Sequence, residues 1–336
     1  MVFHKLRVTH SAVYCKLQSM LFDSNKSKQY LLLALKVLIL TVTFGHIYVK
    51  LTQDTSLTFE DFTATLSVDG RNVLFLLLCI ILAAGNWFFE ILKWQTVTSN
   101  VAPISFKTAL KQSLSGLTVS LTTPNRIGDY GAKIMYFETH NRKQILLLNF
   151  YSNAVQMAIT CFFGIIGVLY ILPTFNIEYS TTKSILLLIC ILLFGIVGYL
   201  IKERQLLIKG LSISSVHSYF RKIRSSIKIK VGIYALIRYS IFSFSFYLLL
   251  VFFGAEIRFS EVIPLLCSMY LFVSVIPTIF IFDLVVRGGV AVWLFSLVGV
   301  SELAILSTVL TMWLLNFVFP AIWGSFYVAN FKLETR

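Results

Sequence analysis

Charge is what this chain has least of. Asp, Glu, Lys and Arg make up 13% of its 336 residues, against about 25% in a soluble globular domain. With 57% hydrophobic residues and a mean hydropathy of +0.82, that deficit excludes an ordinary soluble fold and points to an integral membrane protein. No polar stretch is long enough for a separate soluble domain. None of the five cysteines (Cys15, Cys79, Cys161, Cys190, Cys267) forms C-x-x-C, and four lie in apolar runs. Neither a disulfide framework nor a metal site is expected from them. The five histidines are scattered without metal-ligand spacing. No Ser/His/Asp set, phosphate-binding loop or Rossmann glycine pattern is found, so no catalytic constellation and no cofactor are expected. A signal peptide is also missing: the first apolar run begins only near Tyr30, and no small-residue cleavage pattern follows it.

What is present is a series of long apolar runs. The spanning candidates are 30–51, 72–92, 144–173, 184–201, 231–253, 260–282 and 303–329, with a short 288–300. A bilayer core needs about 20 helical residues. The 288–300 run is too short for that alone, so it is either a half-helix or extends back through 283–287. The expected fold is therefore all-α, a polytopic transmembrane bundle of about eight spans. Re-entrant or broken helices are expected near 113–133 and 276–300. Gly164 and Gly167, with Gly195 and Gly198, read as helix-packing residues.

The net charge of +14 would suggest nucleic acid in a soluble chain. Here basic loops facing anionic headgroups explain it, and no nucleic-acid partner is expected. The eight-span arrangement places twenty-three Lys and Arg on one side and four on the other, with Lys36 and Arg238 inside spans. That asymmetry puts both termini in the cytoplasm and holds only if 113–123 does not cross. The organisation expected is a cytoplasmic amphipathic segment over 1–29, one membrane domain over 30–330, and a cytoplasmic tail over 331–336. A bacterial inner (plasma) membrane is the expected location.

The segment SLSGLTVSL (113–121) is too short and polar to span. Such backbone is tolerated at membrane depth only beside protein or a water-filled cavity. TTPNRIGDYGAK (122–133) follows it. An arginine at this depth, Arg126, normally faces a cavity or a partner, and its planar fork suits phosphate or carboxylate. Pro124 can start a helix and would put Asp129 in its first turn. Gly128 and Gly131 allow close backbone approach. Together with Lys133 these residues could build a headgroup site at a helix N-terminus, or Arg126 and Asp129 could form a structural ion pair in a cytoplasmic turn. Both readings stand on the sequence. IPTIFIFDLVVRGG (276–289) repeats the theme with Pro277, Asp283, Arg287 and Gly288. Asp283 and Arg287 are spaced to pair on one helix face. Two interrupted segments in corresponding halves suggest a transporter-like site. Glu90 and Lys36 read as residues whose charged ends snorkel, while Arg238 could snorkel or line a cavity.

The stretch LKWQTVTSNVAPISFKTALKQSLSGLTVSLTTPNRIGDYGAKIMYF (92–137) resembles the first signature of the lysylphosphatidylglycerol synthase transmembrane family, the flippase-like integral membrane proteins. Trp94, Pro124, Arg126, Gly128 and Asp129 carry the match. The later IPTIFIFDLVVRGGVAVWLFSLVGVSELAILSTVL (276–310) resembles the second signature more loosely, through Pro277, Asp283 and Gly288. Family members more often have glycines and a glutamate there, where this chain has Ile281, Phe282 and Asp283. The resemblance covers roughly residues 30–330.

The resemblance implies a domain that moves or presents a lipid across the bilayer, here without the aminoacyl-transferase domain of bifunctional relatives. Lipid transport is the expected function, with an anionic phospholipid or lipid-linked intermediate as the partner. Arg126, Asp129, Lys133, Asp283 and Arg287 are the expected headgroup-binding residues. Pro124, Gly128, Gly131, Pro277 and Gly288 are the backbone and hinge positions. The alternatives are a membrane enzyme component of lipid or glycolipid synthesis and a non-catalytic scaffold for a partner enzyme; a homo-oligomer is compatible with each.

Overall fold

The apolar runs fold as helices, because a chain in lipid must satisfy its backbone polar groups internally. The computed structural model describes residues 70–121, 123, 126–177, 212–276 and 280–331, all within one compact unit, Thr63–Arg336. Among the described residues every regular element is helical. Helix α1 is Gly70–Thr98, α2 Phe106–Ser120, α3 Ile127–Ile134 and α4 Arg142–Thr174. Helix α5 is Ile213–Lys222, α6 Ser225–Phe252, α7 Phe259–Val275 and α8 Phe280–Ser296. Helix α9 is Glu302–Trp313, followed by a π-helical turn, Leu314–Val318, and α10, Phe319–Ala329.

Four helical stretches are long and apolar enough to cross a membrane: Val73–Thr98, Arg142–Thr174, Ser225–Phe252 and the composite Glu302–Ala329. Phe259–Val275 is a shorter apolar helix. Leu74, Ile81, Phe162 and Leu169 are among the large apolar side chains left exposed on α1 and α4. That is the surface lipid tails cover. Two expected spans, 30–51 and 184–201, lie outside the described residues, as do the 1–29 segment, the 332–336 part of the tail, Lys36, Gly195 and Gly198. About eight crossings is therefore a looser statement than the four this part of the chain displays.

One expected span is corrected. The run 260–282 is not a single helix: α7 stops at Val275 and α8 starts at Phe280. Ile276 has φ −82° and ψ 113°, the extended conformation that a following proline imposes. The short 288–300 run extends back to Phe280, so it is the end of a longer helix.

Segment 113–133 is two short helices meeting at a turn. Helix α2 starts at an N-cap, where the Ser105 hydroxyl accepts from the Thr108 N–H at 3.2 Å. Gln112 through Leu117 are all buried, so protein surrounds this polar helix on nearly every side. Helix α10 runs antiparallel to it. Thr118 donates to the Ala321 carbonyl at 2.9 Å, and a Cβ at Gly324 would collide with the Leu114 carbonyl and the Thr118 hydroxyl. Gly164 and Gly167 bring α4 against Leu271, Cys267 and Pro264 of α7 in the same manner, as their small size predicts. Helix α1 lies antiparallel on α6, with Phe89 against Tyr234 and Gly85 against Ile241. A cluster including Ile91, Trp94, Ile145, Leu148, Ile227 and Val231 ties α1, α4 and α6 together at one end.

The π-helical turn has a local cause. In an α-helix residue 320 would donate its N–H to the carbonyl of residue 316. Residue 320 is proline and has no N–H. The Asn316 carbonyl instead accepts from the Trp87 indole N–H at 3.1 Å. The Asn316 side chain also accepts from the Asn86 amide at 2.9 Å, joining the turn to α1.

Candidate functional site

The helices line a half-open cavity of about 660 Å³. Its walls come from α1, α2, α3, α4, α6, α7, α8 and the π-helical turn. Arg126, Asp129, Lys133, Asp283 and Arg287 all line it. The two motifs, far apart in sequence, therefore share one space.

Arg126 is the N-cap of α3 and has φ 57°, ψ 27°. This left-handed conformation is costly for a residue with a Cβ. Its guanidinium is 3.8 Å from Asp283 and its side chain is 52% exposed. It also lies over the Phe317 ring, 4.8 Å from the centroid. Asp283 is held in addition by Arg287 at 3.3 Å on the same helix. Backbone strain with a half-free cation at a cavity wall is a recurring mark of functional positions.

The pairing of Asp129 with Lys133 is tighter. The Lys133 ammonium lies 2.9 Å from Asp129 Oδ1 and donates to Asn149 Oδ1 at 3.2 Å. Asn149 donates to Asp129 Oδ2 at 2.8 Å. Lys133 also sits 4.5 Å from the Trp94 ring centroid, and the Trp94 indole donates to Gln112 at 2.7 Å. The motif tryptophan thus buries a cation and anchors α2. This cluster needs Gly116, since a Cβ there would strike the Asp129 carboxylate. Burial raises the Tyr130 phenol above the ordinary tyrosine value, and the hydrogen bond from Asn153 opposes that. The phenol therefore stays protonated and can donate into the cavity.

The glycines differ in their surroundings. Gly128 packs the start of α3 on α2: an added Cβ would lie 2.5 Å from the Val119 carbonyl oxygen. Its N–H donates to the Thr123 hydroxyl at 2.7 Å. Gly131 has open space around it. Gly288 is buried against Leu306. Pro124 and Pro277 lie outside the described residues.

A third charged cluster was not expected from the sequence. Glu90 pairs with Lys93 at 2.8 Å and with Arg238, which reaches across from α6. Arg238 also donates to Asn86 Oδ1 at 3.1 Å and to Gln156 Oε1 at 3.2 Å. Glu90 is buried in an ion-pair network and does not snorkel. A sequence signal for this wall existed. Asn86, Glu90 and Lys93 fall on one face of α1, and Asn149, Asn153, Gln156 and Thr160 on one face of α4. Polar stripes along apolar spans mark a protein-facing or water-facing side.

The family model described as the lysylphosphatidylglycerol synthase TM region matches residues 34–324. The chain belongs to that family. A comparison with curated proteins and with solved structures returns no match. The lysylphosphatidylglycerol synthase TM region spans every residue of the cavity wall, from Asn86 to Phe317. Family membership and the four long apolar helices make this an integral membrane protein of a lipid-related family.

Within this family member, the backbone at Arg126 allows a direct test of strain. Arg126→Gly and Arg126→Ala both remove the guanidinium, but only glycine adopts φ 57° without penalty. The glycine variant is expected to be more stable than the alanine variant by about 1 kcal/mol. Thermal unfolding of the two proteins in the same detergent measures this, and equal midpoints would remove the strain argument.

Proposed function

We propose that this domain translocates or presents a lipid with an anionic headgroup across the bilayer. The observation that carries the reading is the shared cavity, where a half-exposed, strained Arg126 and the Asp283–Arg287 pair from the second motif meet. In this reading Arg126 holds the phosphate through its planar fork, Arg287 adds charge beside it, and Asp283 orients both. Lys133, tied to Asp129 and Asn149, fixes α3 against α4. The sequence carries no nucleotide-binding loop, so net movement would draw on a gradient or on equilibration. The basic asymmetry of the loops supports placing residues 126–133 and 283–287 toward the cytoplasm of a bacterial inner membrane.

Mass spectrometry of co-purified lipids tests the reading. The wild type is expected to carry a specific anionic lipid, enriched over the bulk membrane. The folded Arg126→Gly variant is expected to lose that enrichment. Identical bulk lipid in both proteins would overturn the headgroup site and favour a scaffold.

A further inference from the structure

The charges around the cavity are not evenly matched. Among the described residues, five basic side chains line it and three carboxylates oppose them. Asp129 pairs with Lys133. Glu90 is shared between Lys93 and Arg238. Asp283 is shared between Arg126 and Arg287. Each shared carboxylate leaves one positive charge over, one on the α1–α6 wall and one where α3 meets α8. The two surpluses face one space, since Arg126, Arg238 and Arg287 all line it. A surplus of like charge around a half-open space inside the bundle favours the entry of a counter-charge.

We propose that the cavity selects a headgroup carrying two negative charges on phosphate, a phosphomonoester dianion or a diphosphate, over a singly charged phosphodiester. This inference rests on the lipid-headgroup reading above and narrows its substrate class. The two surplus positive charges within one cavity are balanced by a dianion and only half balanced by a monoanion. Leu117, Leu121, Met157 and Phe242 line the same space and provide apolar surface for an attached chain. The phosphate is therefore borne by a lipid.

The test uses the full chain in detergent micelles. Binding of phosphatidic acid, phosphatidylglycerol and inorganic phosphate is read as a concentration-dependent rise in unfolding temperature. At pH 7 phosphatidic acid is expected to bind roughly tenfold or more tightly than phosphatidylglycerol, the value of one added charge-assisted interaction. At pH 5 the preference is expected to shrink, because a phosphomonoester dianion takes up a proton near a pH of about 6 and becomes a monoanion. The groups facing the ligand are the three carboxylates, the lysines and arginines named above, and Tyr130, Tyr239 and Tyr270; among the described residues no histidine lines the cavity. Phosphatidylglycerol, a phosphodiester whose charge is the same at both pH values, is the control for titration of the protein. Arg287→Gln removes one surplus charge and is expected to bring the two lipids to about equal affinity. The wild-type pH comparison stands if that variant does not fold.

Equal binding of the two lipids by the wild type at both pH values overturns this inference and leaves the anionic-lipid reading standing. Saturable binding of neither lipid overturns both. Inorganic phosphate binding as tightly as phosphatidic acid overturns the lipid source and assigns the cavity to free phosphate.

Discussion

Replacing Glu90 with glutamine is expected to destabilise the protein by about 3–5 kcal/mol, the cost of leaving buried charge uncompensated. The size follows from what remains. The Lys93 side chain is 1% exposed and pairs with Glu90 at 2.8 Å. Arg238 makes its ion pair with the same carboxylate. Glutamine would leave two like charges facing each other inside the bundle. The loss should be largely reversed in the double variant Glu90→Gln, Lys93→Met. Removing both members of a buried pair is far less damaging than removing one, and the two changes should be strongly non-additive. The midpoint of thermal unfolding in micelles reads both effects. An unchanged midpoint in Glu90→Gln would show that the cluster does not hold α1 to α6.

Gly324→Leu is the second large effect expected. There is no room for a side chain at this position, because a Cβ would overlap the Leu114 carbonyl and the Thr118 hydroxyl. Overpacking of this kind typically costs about 1–3 kcal/mol, and here the obstacle is partly backbone, which cannot swing away. Helix α10 would be pushed off α2, breaking the 2.9 Å hydrogen bond from Thr118 to Ala321. Helix α2 forms one wall of the cavity, so lipid retention should fall with stability. Gly131→Ala is the control. Gly131 sits in α3 with nothing near a new Cβ, so alanine should be neutral or stabilising by up to about 1 kcal/mol. Comparable losses in both variants would mean that the α2–α10 contact is not close.

The candidate site was partly visible in the sequence because ionisable residues stand out against apolar surroundings. Arg126, Asp129, Lys133, Asp283 and Arg287 were singled out on that ground, and they line one cavity. Glu90 escaped because a charge near a helix end has an inexpensive local explanation in snorkelling. Its partner Arg238 lies far along the chain, and single-sequence reading has no access to such a pairing. The break between α7 and α8 falls where a broken helix was expected, near 276–300, since Pro277 disfavours helix at Ile276; hydropathy alone carried the span through to 282. Whether 288–300 extended backwards depended on packing of α8 against α9 and α7, which hydropathy does not encode.

The π-helical turn at Leu314–Val318 has a consequence for chain length. A wider turn holds one residue more than an α-helical turn does. If the same residues closed into a regular α-helix, everything beyond the turn would rotate by about 100°, one residue's share of an α-helical turn. Gly324 would then face away from Leu114, and a bulkier neighbour would take its place. The span can therefore change its sequence at many exposed positions, such as Ile322, Trp323 and Phe326, more readily than it can lose the turn. A relative of this chain that kept the length of the span but not the turn would have to present a different set of small side chains to α2.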